Sequence, residues 1–182
     1  MSPYQLTAQA IGIVAMALNI LSYQRKRQRD IILMQMGGAM LFTVNFIMLG
    51  ASTGACLNFI AILRAAVYAN KERFRGEKVA WCWLFSGIFV SVYILSFAVF
   101  GKNPTTYNLI VEAIPVVAMV VTTISFRAKE ASTVRKLALI GSPLWLIYNC
   151  LFFTIGGIIC ETVSIISAIV GMIRYDRRKV SQ

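Results

Sequence analysis

A few side chains stand out because they bring chemistry into runs that are otherwise oil. Glu161 sits in "GGIICETVSIISA", Asn58 in "TGACLNFIAIL", Asn149 in "LIYNCLFF" and Glu112 in "NLIVEAIP". Packing alone needs neither an amide nor a carboxyl at such places. A charged group at bilayer depth is costly, and it tends to face a bundle interior or a water-filled path. Three uses are open to Glu161. It can pair with Arg64 or bond neighbouring helices. It can line a solute pocket, where a carboxylate accepts hydrogen bonds or faces a cationic group. It can also carry a proton between dry and wet surroundings. Glu112, near the outer mouth, is the second proton-coupling candidate. Arg64 meets Glu161, plays a structural part, or snorkels to the nearer interface.

Other chemistries find little footing. The chain has no His and no G-x-S-x-G segment, so the usual base and the nucleophile elbow are both missing. Cys56, Cys82, Cys150 and Cys160 lack metal-ligand spacing and read as small apolar side chains. No metal and no cofactor are expected. A retinal-type Schiff base would need a Lys in the last apolar run, and Lys179 lies in the tail instead.

These residues need elements to position them, and the composition says which. Of 182 residues 58% are hydrophobic and 14% charged, the balance of a membrane protein. Apolar blocks run over 4–23, 31–49, 54–70, 79–100, 107–126, 136–153 and 157–175. A spanning helix takes roughly 20 such residues, so the blocks read as seven spans with almost nothing left for a soluble domain.

The net charge of +11 is organised by side rather than by sequence contact with nucleic acid. Four Lys/Arg fall in "QRKRQRD", four in "KERFRGEK", four between Arg127 and Lys136, and four in the tail "RYDRRK". The alternate connections carry only Lys102. The positive-inside rule then puts the N-terminus outside and the C-terminus inside. The first span lacks a basic n-region and reads as retained, not cleaved.

The polar positions also repeat. At an offset of 103, "IGIVAMALNILSY" lies over "IPVVAMVVTTISF", Gly54 over Gly157, Asn58 over Glu161, and Ala65 over Ala168. One residue of slippage brings Asn45 over Asn149. Spans one and five each keep their non-apolar residues on one helical face, as do spans three and seven. The fourth block has no partner. It turns the second trio to face the same way as the first, giving an all-α membrane fold of two parallel three-helix repeats and a linker helix (3+1+3, N-out, C-in). The divisions are 1–70, 71–106 and 107–182.

Three-plus-one-plus-three with this orientation resembles the SWEET and PQ-loop transporter superfamily. More closely, the chain is similar to YgjV-type bacterial inner-membrane proteins. Asn149, Ile155-Gly156-Gly157, Glu161 and Ile173-Arg174 carry that likeness, with Arg64 and Leu49-Gly50 in the first half. The resemblance implies a multi-pass protein of the bacterial inner (cytoplasmic) membrane. It also implies a central pocket with paired Asn on spans three and seven and aromatics on spans two and six. Asn58, Phe42 and Trp145 take three of those places, and Glu161 stands where the second Asn would be. Of the four hinge prolines that it implies, Pro115 and Pro143 are present, while Gly12 and Met40 occupy the other two positions.

The expected site is therefore Asn58, Glu161, Asn45, Asn149, Phe42 and Trp145, with Asn19 below it. Pro115, Pro143 and Gly12 are hinge candidates. The expected function is alternating-access transport of a small polar solute (sugar-like, amine or zwitterion), proton-coupled if Glu161 carries the proton. The alternatives are a membrane enzyme acting on a lipid-linked substrate, and a receptor or assembly subunit. The partners expected are a small-molecule solute and the lipid bilayer, without nucleic acid, and with self-association into a homo-oligomer left open.

Overall fold

A computed structural model describes residues 3–22, 28–76, 78–127 and 131–173. Among these the chain forms helices and no strand: α1 (Pro3–Ser22), α2 (Gln28–Met48), α3 (Ser52–Ala69), α4 (Lys71–Phe74), α5 (Val79–Ala98), α6 (Thr106–Arg127), α7 (Ala131–Leu151) and α8 (Ile155–Gly171). Within the described residues each apolar block falls mainly on a helix. Four of them, α1, α3, α5 and α6, are long and apolar enough to cross a membrane. In α2 and α8 the apolar stretches are shorter, Ile32–Met48 and Ile155–Gly171. The one addition is α4, a single turn in the basic segment, ended by Arg75 in the left-handed region at φ 50°. Much of the charge pattern, including Arg25 to Arg27, Lys129 and the tail from Arg174 with Lys179, lies outside the described residues.

The outer and inner surfaces are inverted relative to a water-soluble bundle. Trp83, Val99 and Ile94 are more than half exposed on or just after α5, whereas Gln9, Asn45, Asn58, Arg64, Glu112 and Asn149 are buried. Apolar groups outside and polar groups inside suit a hydrocarbon solvent.

Helix contacts close into a ring. α2 packs on both α1 and α3, α7 on both α6 and α8, α3 meets α6, and α8 returns to α1. α5 stands outside this ring, against α3 and α6. A core of Leu57, Phe85, Phe89, Val92 and Met119 fills that seam. A second core, Phe42, Phe46, Ala55, Val111 and Tyr148, draws on α2, α3, α6 and α7.

The turns between α2 and α3 and between α7 and α8 are built alike. Leu49, Gly50 and Ala51 donate N–H bonds to the carbonyls of Asn45, Ile47 and Phe46. Phe152, Phe153 and Thr154 donate to Tyr148, Cys150 and Asn149. Every pair is offset by 103, and the two left-handed residues, Gly50 (φ 73°) and Phe153 (φ 50°), are offset by 103 as well. This corrects the expected slippage. The loops are equally long, so Asn45 corresponds to Tyr148 and Asn149 to Phe46, not Asn45 to Asn149. The helix neighbours agree: Gly54 lies against Phe46, and Gly157 against Asn149.

Candidate functional site

The ring encloses a cavity of about 870 Å³ lined from α1, α2, α3, α6, α7 and α8. Its α3 wall carries Asn58, Ala61, Arg64, Ala65 and Tyr68, which recur at helical spacing on one face. The α8 wall carries Gly157, Cys160, Glu161 and Ser164. The lining continues to Lys71 and Arg127, which are exposed, so the cavity opens at that end.

The opposite end is shut by aromatic packing. Phe46, Trp145, Tyr148 and Phe152 form a chain of ring contacts with centroids 4.7 Å (Tyr148–Phe152) to 6.1 Å (Phe46–Trp145) apart. Tyr148 is fully buried, and its Oη accepts the N–H of Gly54 at 3.0 Å. That N–H belongs to the first turn of α3 and would otherwise lack a partner inside the helix. Glycine is needed there, because a Cβ on residue 54 would stand 2.8 Å from the Tyr148 ring.

The expected site residues divide cleanly. Asn58, Glu161, Asn149, Phe42, Trp145 and Asn19 all line the cavity. Asn58 Nδ2 donates to the Gly54 carbonyl at 3.0 Å, which leaves its Oδ1 for other partners. The Ser142 hydroxyl is a hydrogen-bonding neighbour of the Glu161 carboxyl. Asn149 Nδ2 donates to Trp145 O at 2.9 Å, and its Oδ1 has no partner in the protein. Asn45 lies apart. It is wholly buried between helices, with Nδ2 donating to Ala8 O at 2.7 Å, and it does not line the cavity. Glu112 is also elsewhere, buried in an ion pair with Lys102. Pro115 and Pro143 lie within α6 and α7, and Gly12 lies where α1 meets α8.

Of the readings open to Arg64, neither the pair with Glu161 nor the snorkelling side chain is seen. Among the described residues it forms no ion pair with Glu161, and at 5% exposure it does not reach out to the interface. Its Nη1 crosses to α6, donating to Thr123 Oγ1 at 2.8 Å and Met119 O at 3.3 Å. Three further contributors, Tyr68, Ser142 and Tyr148, escaped the sequence reading. Tyr68 continues the α3 stripe beyond Ala65, a signal that was present. Tyr148 acts across helices, and nothing local marks it.

A family model described as a bacterial inner membrane protein, Imp-YgjV, matches residues 6–179. The chain belongs to this family. Together with the apolar helices, that makes it a membrane protein of a bacterial inner-membrane family. No curated protein and no solved structure matches the chain.

Proposed function

We propose that this family member is a carrier for a small polar solute. In this reading the seven long helices all span the bilayer, N-out and C-in, as two like-facing trios, α1–α3 and α6–α8, joined by α5. The ring of contacts and the turns matched at an offset of 103 support the duplication. The cavity is the observation that carries the function. At about 870 Å³ it falls in the range of small-molecule sites, and its lining joins Asn58 and Glu161, residues offset by 103.

With that orientation, the opening beside Lys71 and Arg127 faces the cytoplasm, and the aromatic plug faces outward. The arrangement corresponds to an inward-open form. Transport then requires the plug to part and the inner opening to close as one trio rocks against the other. Pro115, Pro143 and Gly12 are the proposed hinges. Glu161, with Ser142 beside it, receives donor groups of the solute and is the proposed proton carrier.

The test is a thermal-shift screen of the purified protein against sugars, amino acids, amines and vitamins, followed by uptake of the stabilising solutes into proteoliposomes. A ligand that binds only the folded state raises its stability. Saturable uptake is expected, and Glu161→Gln should remove any response to a proton gradient. If solutes that stabilise the protein never cross, the carrier reading fails. If Glu161→Gln responds to the gradient as wild type does, only the proton role fails.

A further inference from the structure

Arg64 is a buried cation. Among the described residues no carboxylate pairs with it. Among the described residues only Nη1 is seen with hydrogen-bond acceptors, and both are neutral. The Phe126 ring lies 4.6 Å from Cζ and the Phe89 ring 5.5 Å, so aromatic faces take part of the charge. Nε has no partner in the protein. One helical turn further along α3, the Tyr68 hydroxyl is likewise buried and unpartnered, in a residue only 7% exposed. Positions i and i+4 share a helix face, so the two orphaned donors are neighbours.

Buried charges are as a rule paired, because attraction to a partner must offset the loss of hydration. Here both residues line the cavity, and so do Lys71 and Arg127 at its opening. Among the described residues the lining holds the cations Arg64, Lys71 and Arg127 and the acid Glu161. A guanidinium whose Nη1 is engaged elsewhere keeps its Nε–Nη2 edge, the geometry that receives a carboxylate or phosphate through two parallel bonds.

We propose that the transported solute bears an oxyanion, and that Arg64 and Tyr68 are the subsite that receives it. This rests on the carrier reading and narrows it. Asn58 and Arg64 are six residues apart, a rise of roughly 9 Å along α3. The oxyanion thus docks nearer the open end, and the hydrogen-bonding part of the solute reaches Asn58 and Glu161. Neutral sugars and simple amines fill only half of such a site.

The experiment uses the full chain, in detergent for thermal shift and in proteoliposomes for uptake, with matched probes. One set is glucose, glucuronate and glucose 6-phosphate; the other is butylamine, butyrate and 4-aminobutyrate. At least one anionic member should half-saturate at a concentration tenfold or more below its neutral or purely cationic counterpart. A preference for glucuronate or for glucose 6-phosphate tells whether the oxyanion is a carboxylate or a phosphate. Tyr68→Phe should raise the half-saturating concentration of the anionic probe several-fold while leaving the melting temperature of the empty protein nearly unchanged. Arg64→Gln should abolish the preference; if that variant does not fold, Tyr68→Phe carries the test alone. Glucose or butylamine bound and carried as well as the anionic members, with Tyr68→Phe unchanged, overturns the oxyanion subsite and leaves a carrier. No probe binding or crossing overturns both.

Discussion

Gln9 on α1 donates from Nε2 to the carbonyl oxygen of Phe153 at 2.6 Å, joining residues 144 positions apart. Its Oε1 accepts the N–H of Ile155 at 2.9 Å, so the same amide also caps the first turn of α8. One side chain thereby ties the start of the chain to the turn that sets the direction of Glu161's helix. Gln9→Leu removes both bonds and leaves a part-buried carbonyl and amide unmatched. The expected loss is about 1–3 kcal/mol, seen as a fall of several degrees in the melting temperature in detergent. An unchanged melting temperature would show that water replaces both bonds without cost.

The residue offset by 103 from Gln9 is Glu112, and it behaves differently for a plain chemical reason. A carboxylate cannot donate to a carbonyl, so it takes the ammonium of Lys102 instead. Glu112 is 3% exposed at its side chain and Lys102 19%, so the pair is only partly shielded. Glu112→Gln should cost about 3 kcal/mol, the lower end for a broken buried pair, and Lys102→Met in the same chain should restore at least half. Uptake separates this from a proton role. A structural pair predicts that the double variant keeps the wild-type response to a proton gradient, and loss of that response in a stable double variant contradicts it.

Phe153 holds a left-handed backbone (φ 50°) where the matching turn has Gly50 (φ 73°). A side chain there crowds the following carbonyl at a cost of roughly 1–2 kcal/mol. The ring is 61% exposed, so little packing is lost by removing it. Phe153→Gly should therefore leave the protein equally stable or more stable by up to about 1 kcal/mol, after the entropic penalty of glycine. A marked loss of stability would mean that the exposed ring is held by something outside the chain, such as lipid.

The helices and much of the cavity could be read from the sequence, because hydropathy reports transfer into hydrocarbon and period reports which residues share a face. Asn58 and Glu161 were found that way, and both line the cavity. The pairing of Asn45 with Asn149 failed because it rested on residue identity, whereas turn geometry fixes the register. Asn45 and Tyr148 share no chemistry, yet they hold the same place in their turns. Arg64 could be located but not interpreted. Its partners, Thr123 and Met119, lie on another helix 55 or more positions away, where no local pattern can point to them.

Backbone contact between α1 and α8 leads to the last prediction. A Cβ built on Gly156 would lie 2.2 Å from both the carbonyl carbon and the carbonyl oxygen of Gly12. Those atoms are main chain, so they cannot rotate aside as a side chain would. Gly156→Ala must push the two helices apart, costing several kcal/mol of packing or preventing folding. Gly87, in the middle of α5, is the control, since a Cβ there meets nothing within 4 Å. Gly87→Ala should be neutral or mildly stabilising, because alanine loses less backbone freedom in a helix. Melting temperatures of the two variants in detergent decide it: equal values would show that α1 and α8 are not in close backbone contact.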